Sequence, residues 1–178
     1  MPVLATFGCT LGEPYVIDDG SGQGGASGWG PPNVSTLASF EMGTQGFGAP
    51  PGMASSSSVT STSVFHSDGL RGLAVTVNTA QWLGVTFGMS RDFSTRTYIM
   101  ADVFARSATS RSNLALGSAS GWCELGFAAG GSMPAQTTTT VSAKLSALDC
   151  STGDLSAVTG VYLWFDAGTF YVDNFRVQ

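Results

Sequence analysis

The sequence predicts an all-β domain, either a β-sandwich or a jelly roll. Short runs rich in aromatic and β-branched residues are separated by Gly, Ser and Pro at fairly regular spacing. Charged residues make up only 11% of the chain, and Lys144 is the only lysine. Exposed helix faces normally carry many Lys and Glu residues, so this composition argues against helices. Only DLSAV (154–158) fits a brief helical turn.

Ten segments fit strands, because each combines strand-forming residues with turn residues at its ends. In chain order they are ASFE (38–41), VTSTSVFH (59–66), GLAVTVN (72–78), QWLGVTF (81–87), TRTYIMADVFA (95–105), NLALGS (113–118), GWCELGF (121–127), TTTTVSAKL (137–145), GVYLWFDA (160–167) and TFYVDNFRV (169–177).

The 178 residues divide into an arm and a domain. Residues 1–38 contain DDGSGQGGASGWGPP, a Gly- and Pro-rich composition typical of linkers, whereas residues 39–178 carry the strand pattern. DDGSGQGG also resembles part of a calcium-binding loop with Asp18 and Asp19 as oxygen donors, and a plain flexible turn is the alternative.

The charge balance excludes several classes of partner. A formal net charge of −5 offers no basic surface for nucleic acid or for an anionic membrane. No apolar run approaches the length that spans a bilayer. We therefore expect a domain that binds neither nucleic acid nor a membrane. We also expect it to be a monomer.

The three cysteines allow at most one intramolecular disulfide. Cys123 lies in a strand-like run and Cys150 in a turn-like run, so these two are the expected pair and Cys9 is left over. Such a bridge implies an oxidising, extracellular setting, and thus a secreted protein. Three buried free thiols are the alternative.

Alternation along the predicted strands separates an aliphatic row from a row that mixes Trp or Tyr with carboxylates and hydroxyls. Aromatic rings beside fixed hydrogen-bonding groups suit sugars, whose C–H faces stack on rings while their hydroxyls need polar partners. The alternative is that loops or the arm cover these aromatics. The stacking candidates are Trp82, Tyr98, Trp122, Tyr162 and Trp164, and the carboxylates expected to receive sugar hydroxyls are Asp102, Glu124 and Asp166.

An enzyme is a second interpretation. Glycoside hydrolysis needs two suitably spaced carboxyl groups, which Asp102, Glu124 and Asp166 could supply in a jelly-roll hydrolase or lyase. His66 is the only histidine and has no nucleophile-elbow sequence around it, so a serine-hydrolase site is disfavoured. We expect a non-catalytic protein, with a structural or adhesion sandwich as a third possibility.

Four segments together resemble a known family. SFEMGTQGF (39–47), VFHSDGLRGLAVTV (64–77), DFSTRTYIMADVFA (92–105) and GVYLWFDAGTFYVDNFRV (160–177) are similar, in order and spacing, to the jelly-roll carbohydrate-binding modules attached to bacterial glycoside hydrolases. The resemblance implies a β-sandwich of the galactose-binding-like type. It also implies a non-catalytic module that binds plant cell-wall polysaccharide chains, β-glucan or β-mannan, and keeps an attached hydrolase near its substrate.

The last predicted strand places Asp173 on a row with Tyr171, Phe175 and Val177, which looks core-facing. A buried carboxylate needs a compensating partner. Modules of this family commonly hold a structural calcium, and the resemblance implies Glu41 and Asp173 as its ligands, with backbone carbonyls around 67–71. The alternative is that Asp173 caps backbone amides at a strand end.

Overall fold

The fold is described by a computed structural model that covers residues 34–125 and 131–178, with the backbone alone for residues 109–112 and 131. The arm candidates Cys9, Asp18 and Asp19 lie outside the described residues. Twelve strands and two single-turn 3-10 helices, but no α-helix, occur in the described part, so the all-β prediction is confirmed. The strands are β1 (Ser35–Ala38), β2 (Phe47–Gly48), β3 (Ser57–Thr62), β4 (Gly72–Val77), β5 (Gln81–Arg91), β6 (Tyr98–Ala105), β7 (Thr109–Ser118), β8 (Trp122–Glu124), β9 (Gly131–Met133), β10 (Thr137–Lys144), β11 (Val158–Phe165) and β12 (Gly168–Val177).

The strands form two antiparallel sheets. Sheet A has the order β10-β6-β12-β4-β3, and β1 also pairs with β12. Sheet B has the order β2-β5-β11-β7-β8, and β9 also pairs with β7. β1 lies before residue 39, where the sequence suggested that the domain begins. The two 3-10 helices are Leu145–Ala147 and Leu155–Ala157, and the second of them matches the helical turn expected at 154–158.

The core lies between the two sheets and is built from alternate residues of each strand. Val75 of β4, Val103 of β6 and Leu83 of β5 are all fully buried in one hydrophobic cluster. The aliphatic rows expected from the sequence therefore face one another, and the aromatic and polar rows face outward. No helix in the described part is long and apolar enough to cross a membrane.

The expected strand at 59–66 ends at Thr62, and β2 and β9 were not expected from the sequence. Two further differences lie near Glu41 and Asp173. The first predicted strand, 38–41, ends at Ala38 because the Gln45 side-chain oxygen accepts the N–H groups of Ser39 and Phe40 and draws the chain into a turn. The second difference concerns the last strand.

Asp173 does not share a row with Phe175 and Val177. The pairing of β12 with β6 shifts register between Asp173 and Arg176, and Asn174 adopts a φ of 52°. Such a bulge inserts an extra residue and reverses the alternation beyond it. Phe170 and Val172 therefore face the core before the bulge and Phe175 and Val177 after it, whereas the Asp173 carboxylate meets residues 67–68.

Candidate functional site

The outer face of sheet B carries a pair of tryptophans on neighbouring strands. Trp82 of β5 and Trp164 of β11 are register partners, and their ring centroids lie 5.4 Å apart with an interplanar angle of 76°. β11 lies between β5 and β7, so Trp164 has paired backbone on both sides, with Trp82 on one side and Asn113 on the other. Both side chains are half-buried.

Trp122 of β8 joins this pair to a tyrosine. Its ring centroid lies 6.3 Å from that of Trp82 and 5.3 Å from that of Tyr162 of β11. Trp122 is also half-buried. We call Trp82, Trp122, Tyr162 and Trp164 the aromatic cluster. Its indole surfaces are large, rigid and partly open to solvent, which suits stacking against the apolar face of a sugar ring.

Tyr162 supports the cluster from below. Only 2% of it is exposed, because Trp122 packs over its ring and because Gly117 and Gly160 leave room beneath, where a Cβ atom would crowd the tyrosine. Its hydroxyl lies 2.8 Å from the Thr86 Oγ1, and burial raises the pKa of the phenol in spite of that hydrogen bond. Tyr162 thus packs against Trp122 and is not an open stacking surface.

Polar groups at the edge of the cluster are acidic or neutral. The Trp164 Nε1 donates to the Asp166 Oδ1 at 3.4 Å, and Glu124 is exposed on β8 two residues beyond Trp122. No Lys or Arg occurs in residues 81–86, 113–118, 122–124 or 158–165. The surface around the aromatic cluster therefore favours an uncharged ligand that offers hydroxyl groups.

Asn113 is a residue that the sequence analysis missed. It is the register partner of Trp164 on β7, is 1% exposed, and its Nδ2 has no hydrogen-bond partner among the described residues. The sequence does place a polar residue directly before the apolar run LALGS. Alternation alone, however, does not show whether such a residue is buried within the sheet or lies exposed at the end of a strand.

Tyr98 and Asp102 lie on β6 in sheet A and do not join the aromatic cluster. Asp102 is buried and forms an ion pair with Arg176, whose two terminal nitrogens donate to the two carboxylate oxygens at 2.9 and 3.1 Å. Thr140 Oγ1 and Ser67 Oγ also donate to it, at 2.7 and 2.8 Å. Burial would raise the pKa of Asp102, but these donors outweigh burial and lower it.

Asp102 is consequently occupied within the protein and does not receive sugar hydroxyls, contrary to the expectation from alternation. Glu124 and Asp166 belong to sheet B and to the residues that follow β11, on the other side of the sandwich core. The three carboxylates considered for a hydrolase or lyase are therefore not brought together.

Glu41 and Asp173 converge on the loop formed by residues 67–71. The Glu41 Oε1 accepts the N–H groups of Leu70 and Arg71 at 2.8 and 2.9 Å. The Asp173 Oδ2 accepts those of Ser67 and Asp68 at 2.7 and 2.9 Å. The loop thus presents amide N–H groups to both acids.

The second oxygen of Asp173 is the feature here that fits a cation. Asp173 is fully buried, and its Oδ1 has no hydrogen-bond partner among the described residues. Burial raises the pKa of Asp173 in spite of the donors from Asp68 and Ser67. No group of three or more His, Cys, Asp or Glu side chains suited to a metal occurs within 34–125 and 131–178, so any calcium would also need backbone or water oxygens.

Cys123 and Cys150 form a disulfide that joins β8 to the segment before β11. Cys123 is 1% exposed and belongs to the core cluster, whereas its neighbours Trp122 and Glu124 point to the outer face of sheet B. The bridge is therefore directly next to the aromatic cluster in sequence.

Comparison with known proteins identifies the fold. No protein-family model and no curated protein matches the chain. Among solved structures, a family 11 carbohydrate-binding module from Clostridium thermocellum, in complex with a β-1,3-1,4-mixed-linked tetrasaccharide, is 20% identical with a TM-score of 0.57, over 81% of this chain and 94% of that one. A family 28 module specific for non-crystalline cellulose is 17% identical with a TM-score of 0.57, over 79% and 92%.

A third similar structure contains a hydrolase. The family 22 module and GH10 module of a Clostridium thermocellum xylanase, complexed with xylohexaose, is 16% identical with a TM-score of 0.58, over 79% of this chain and 27% of that one. At these identities the likeness concerns the fold. The described residues adopt the jelly-roll sandwich found in carbohydrate-binding modules, as the sequence resemblance predicted.

Proposed function

We propose that this protein is a non-catalytic carbohydrate-binding module that holds an uncharged polysaccharide chain against the aromatic cluster. The observation that supports this most directly is the contact set of Trp82, Trp122 and Trp164 on the outer face of sheet B, with each ring half-buried and partly open. An ordinary exposed sheet face carries Lys, Glu and Thr, whereas clustered tryptophans beside hydroxyl-bonding groups suit a sugar.

The similar structures support a plant cell-wall polysaccharide as the ligand. Their bound or stated ligands are a mixed-linked glucan fragment, non-crystalline cellulose and xylohexaose. A β-glucan or β-mannan chain is our preferred ligand class. One of these structures includes a hydrolase module, and we propose that this chain likewise serves an attached glycoside hydrolase outside the cell.

The test is affinity electrophoresis of the chain through gels that contain soluble β-glucan, mannan or xylan. Retardation by at least one of the neutral polysaccharides is expected, with no retardation by an anionic one such as polygalacturonate. The enzyme alternative predicts new reducing ends in the same polysaccharides. The structural or adhesion alternative predicts equal mobility in every gel and tryptophan fluorescence that no polysaccharide changes.

We further propose a structural calcium ion held by Glu41 and Asp173. The support is the buried Asp173 Oδ1 without a hydrogen-bond partner and the raised pKa of that carboxyl group, because a cation beside this oxygen would favour the ionised form. Calcium would join the turn after β1 to the last strand and stabilise the fold, at a distance from the aromatic cluster.

A further inference from the structure

Trp122 lies on the edge strand β8. The segment 149–153 contacts the side of β8 that faces away from β7. We propose that the Cys123–Cys150 disulfide and Thr152 are positioning groups for Trp122, so that sugar affinity depends on the bridge. This inference rests on the proposed function of the aromatic cluster. Trp82 and Trp164 lie instead on β5 and β11, two longer strands that pair with each other.

β8 has little support of its own. It is three residues long and β7 is the one strand with which it pairs in the described part, where Leu116 faces Cys123 and Gly117 faces Trp122. A strand this short at the edge of a sheet frays easily, because few ladder hydrogen bonds restrain it. The position of the Trp122 ring therefore needs a second restraint.

The segment 149–153 supplies that restraint through backbone and side-chain contacts. The N–H of Glu124 donates to the Asp149 carbonyl at 3.0 Å, and the N–H of Asp149 donates back to the Glu124 carbonyl at 2.9 Å. The Thr152 Oγ1 accepts the Trp122 N–H at 3.2 Å and donates to the Trp122 carbonyl at 3.3 Å. One threonine hydroxyl thus bonds both backbone groups of the residue that carries the indole.

The disulfide makes this contact permanent. It links Cys123, next to Trp122 in the strand, to Cys150, two residues before Thr152. Without it, the association of the segment with β8 depends on the packing of Leu148 and Cys150 against the core and on a few hydrogen bonds, each of which contributes modestly in water. The covalent link keeps the Thr152 hydroxyl within reach of Trp122.

Displacement of Trp122 would change one side of the aromatic cluster and leave the other side in place. The Trp122 ring is the contact between Trp82 and Tyr162, so its displacement opens one side of the aromatic cluster. The Trp82–Trp164 pair stays in place because β5 and β11 are paired through seven register positions. Loss of the bridge should therefore weaken binding partly, by no more than the removal of the Trp122 ring itself.

Two variants test the proposal against the polysaccharide that retards the parent protein most. Cys150→Ala breaks the bridge and leaves Cys123 in the core as a small apolar residue. Thr152→Val removes the hydroxyl and keeps the shape. Thr60→Val, on the exposed β3 strand of sheet A, is the matched control. For each variant, alone and in a Trp122→Ala background, Kd is measured at a temperature well below unfolding, and Tm is measured separately by thermal unfolding.

We expect Thr152→Val and Cys150→Ala each to raise Kd by about threefold to tenfold, the size of one to a few lost hydrogen bonds. In the Trp122→Ala background neither should raise Kd further, because the residue through which they act is gone. Thr60→Val should leave Kd unchanged. If Cys150→Ala does not fold, Thr152→Val alone decides.

Three results would overturn the inference. They are a lower Tm with an unchanged Kd, a Trp122→Ala variant that binds like the parent, and equal losses with and without the Trp122 ring. If no polysaccharide retards the parent protein, the proposed function itself is refuted. Failure of the proposed function can therefore be told apart from failure of the inference about Trp122.

Discussion

The buried ion pair between Asp102 and Arg176 gives the sharpest stability prediction. Replacing Arg176 by Met keeps most of the side-chain length and removes the charge. Asp102 would then keep the hydroxyl donors of Thr140 and Ser67 but lose two charged hydrogen bonds at 2.9 and 3.1 Å. The side chains of the pair are 17% and 9% exposed, so water could not replace the guanidinium fully.

Removing one partner of a buried pair costs about 3–5 kcal/mol of stability, because the other charge stays buried. The remaining donors on Asp102 and the partial exposure of Arg176 put our expectation near the lower end, about 3 kcal/mol at pH 7. For a chain of this length that corresponds to a fall in Tm of roughly 6–12 °C. Arg71→Met is the matched control, since the Arg71 side chain is exposed and makes one long hydrogen bond, 3.4 Å, to Ser61.

Thermal and urea unfolding from pH 7 down to pH 3 measure this deficit. In the parent, the lowered pKa of Asp102 means that its ionised form adds stability above the unfolded pKa of about 3.9, and this is lost as pH falls through the folded pKa. In the variant, burial without the arginine should raise that pKa, so protonation at acid pH relieves the penalty. The two stability curves should therefore converge on acidification. A variant as stable as the parent at pH 7, or a deficit that grows at low pH, would refute this account.

Three further predictions concern the calcium site proposed at Glu41 and Asp173 and the packing of Tyr162 beneath the aromatic cluster. A calcium chelator should lower the Tm of the parent but not of Asp173→Asn, and equal Tm values for the parent with and without chelator would remove the calcium proposal. Tyr162→Phe should cost about 1 kcal/mol of unfolding free energy, since Thr86 loses its partner, while Kd stays within about twofold because the phenol is buried. Gly160→Ala should lower the free energy of unfolding by about 1–3 kcal/mol and weaken sugar binding, because a Cβ there would overlap the Tyr162 hydroxyl and displace the ring. A variant with unchanged stability and unchanged Kd would contradict this packing.

Alternation along the sequence was informative where strands are regular. It separated Leu83 and Val85 from Trp82 on β5, and Leu163 from Trp164 on β11, and the structure places the aliphatic residues in the core. Each strand has a period of two, so a run of this kind specifies its buried face without knowledge of its neighbours.

Alternation could not identify the sheet to which a strand belongs. Tyr98 and Trp164 have the same pattern in sequence, yet β6 joins sheet A and β11 joins sheet B. That choice depends on pairing between strands distant in sequence, which a local pattern does not contain. The aromatic candidates therefore divided between two outer faces.

Local exceptions to the period were also invisible in the sequence. The bulge at Asn174 moves Asp173 out of the row assigned to it, and the Gln45 side chain ends β1 early. The ion pair between Asp102 and Arg176 could not be predicted from the sequence either, because the register of β6 and β12 brings the two residues together. Each of these depends on one side chain or one backbone angle in a folded context.

We expect the polysaccharide to bind on the outer face of sheet B, and a comparison of two aromatic variants distinguishes that face from sheet A. Trp164→Ala removes a ring of the aromatic cluster, and Tyr98→Ala removes an exposed ring of sheet A. Isothermal titration with the soluble polysaccharide that the parent binds best should show a loss of about 2 kcal/mol for Trp164→Ala, roughly thirtyfold in Kd, and no change for Tyr98→Ala. Loss of binding in Tyr98→Ala together with unchanged binding in Trp164→Ala would contradict this expectation.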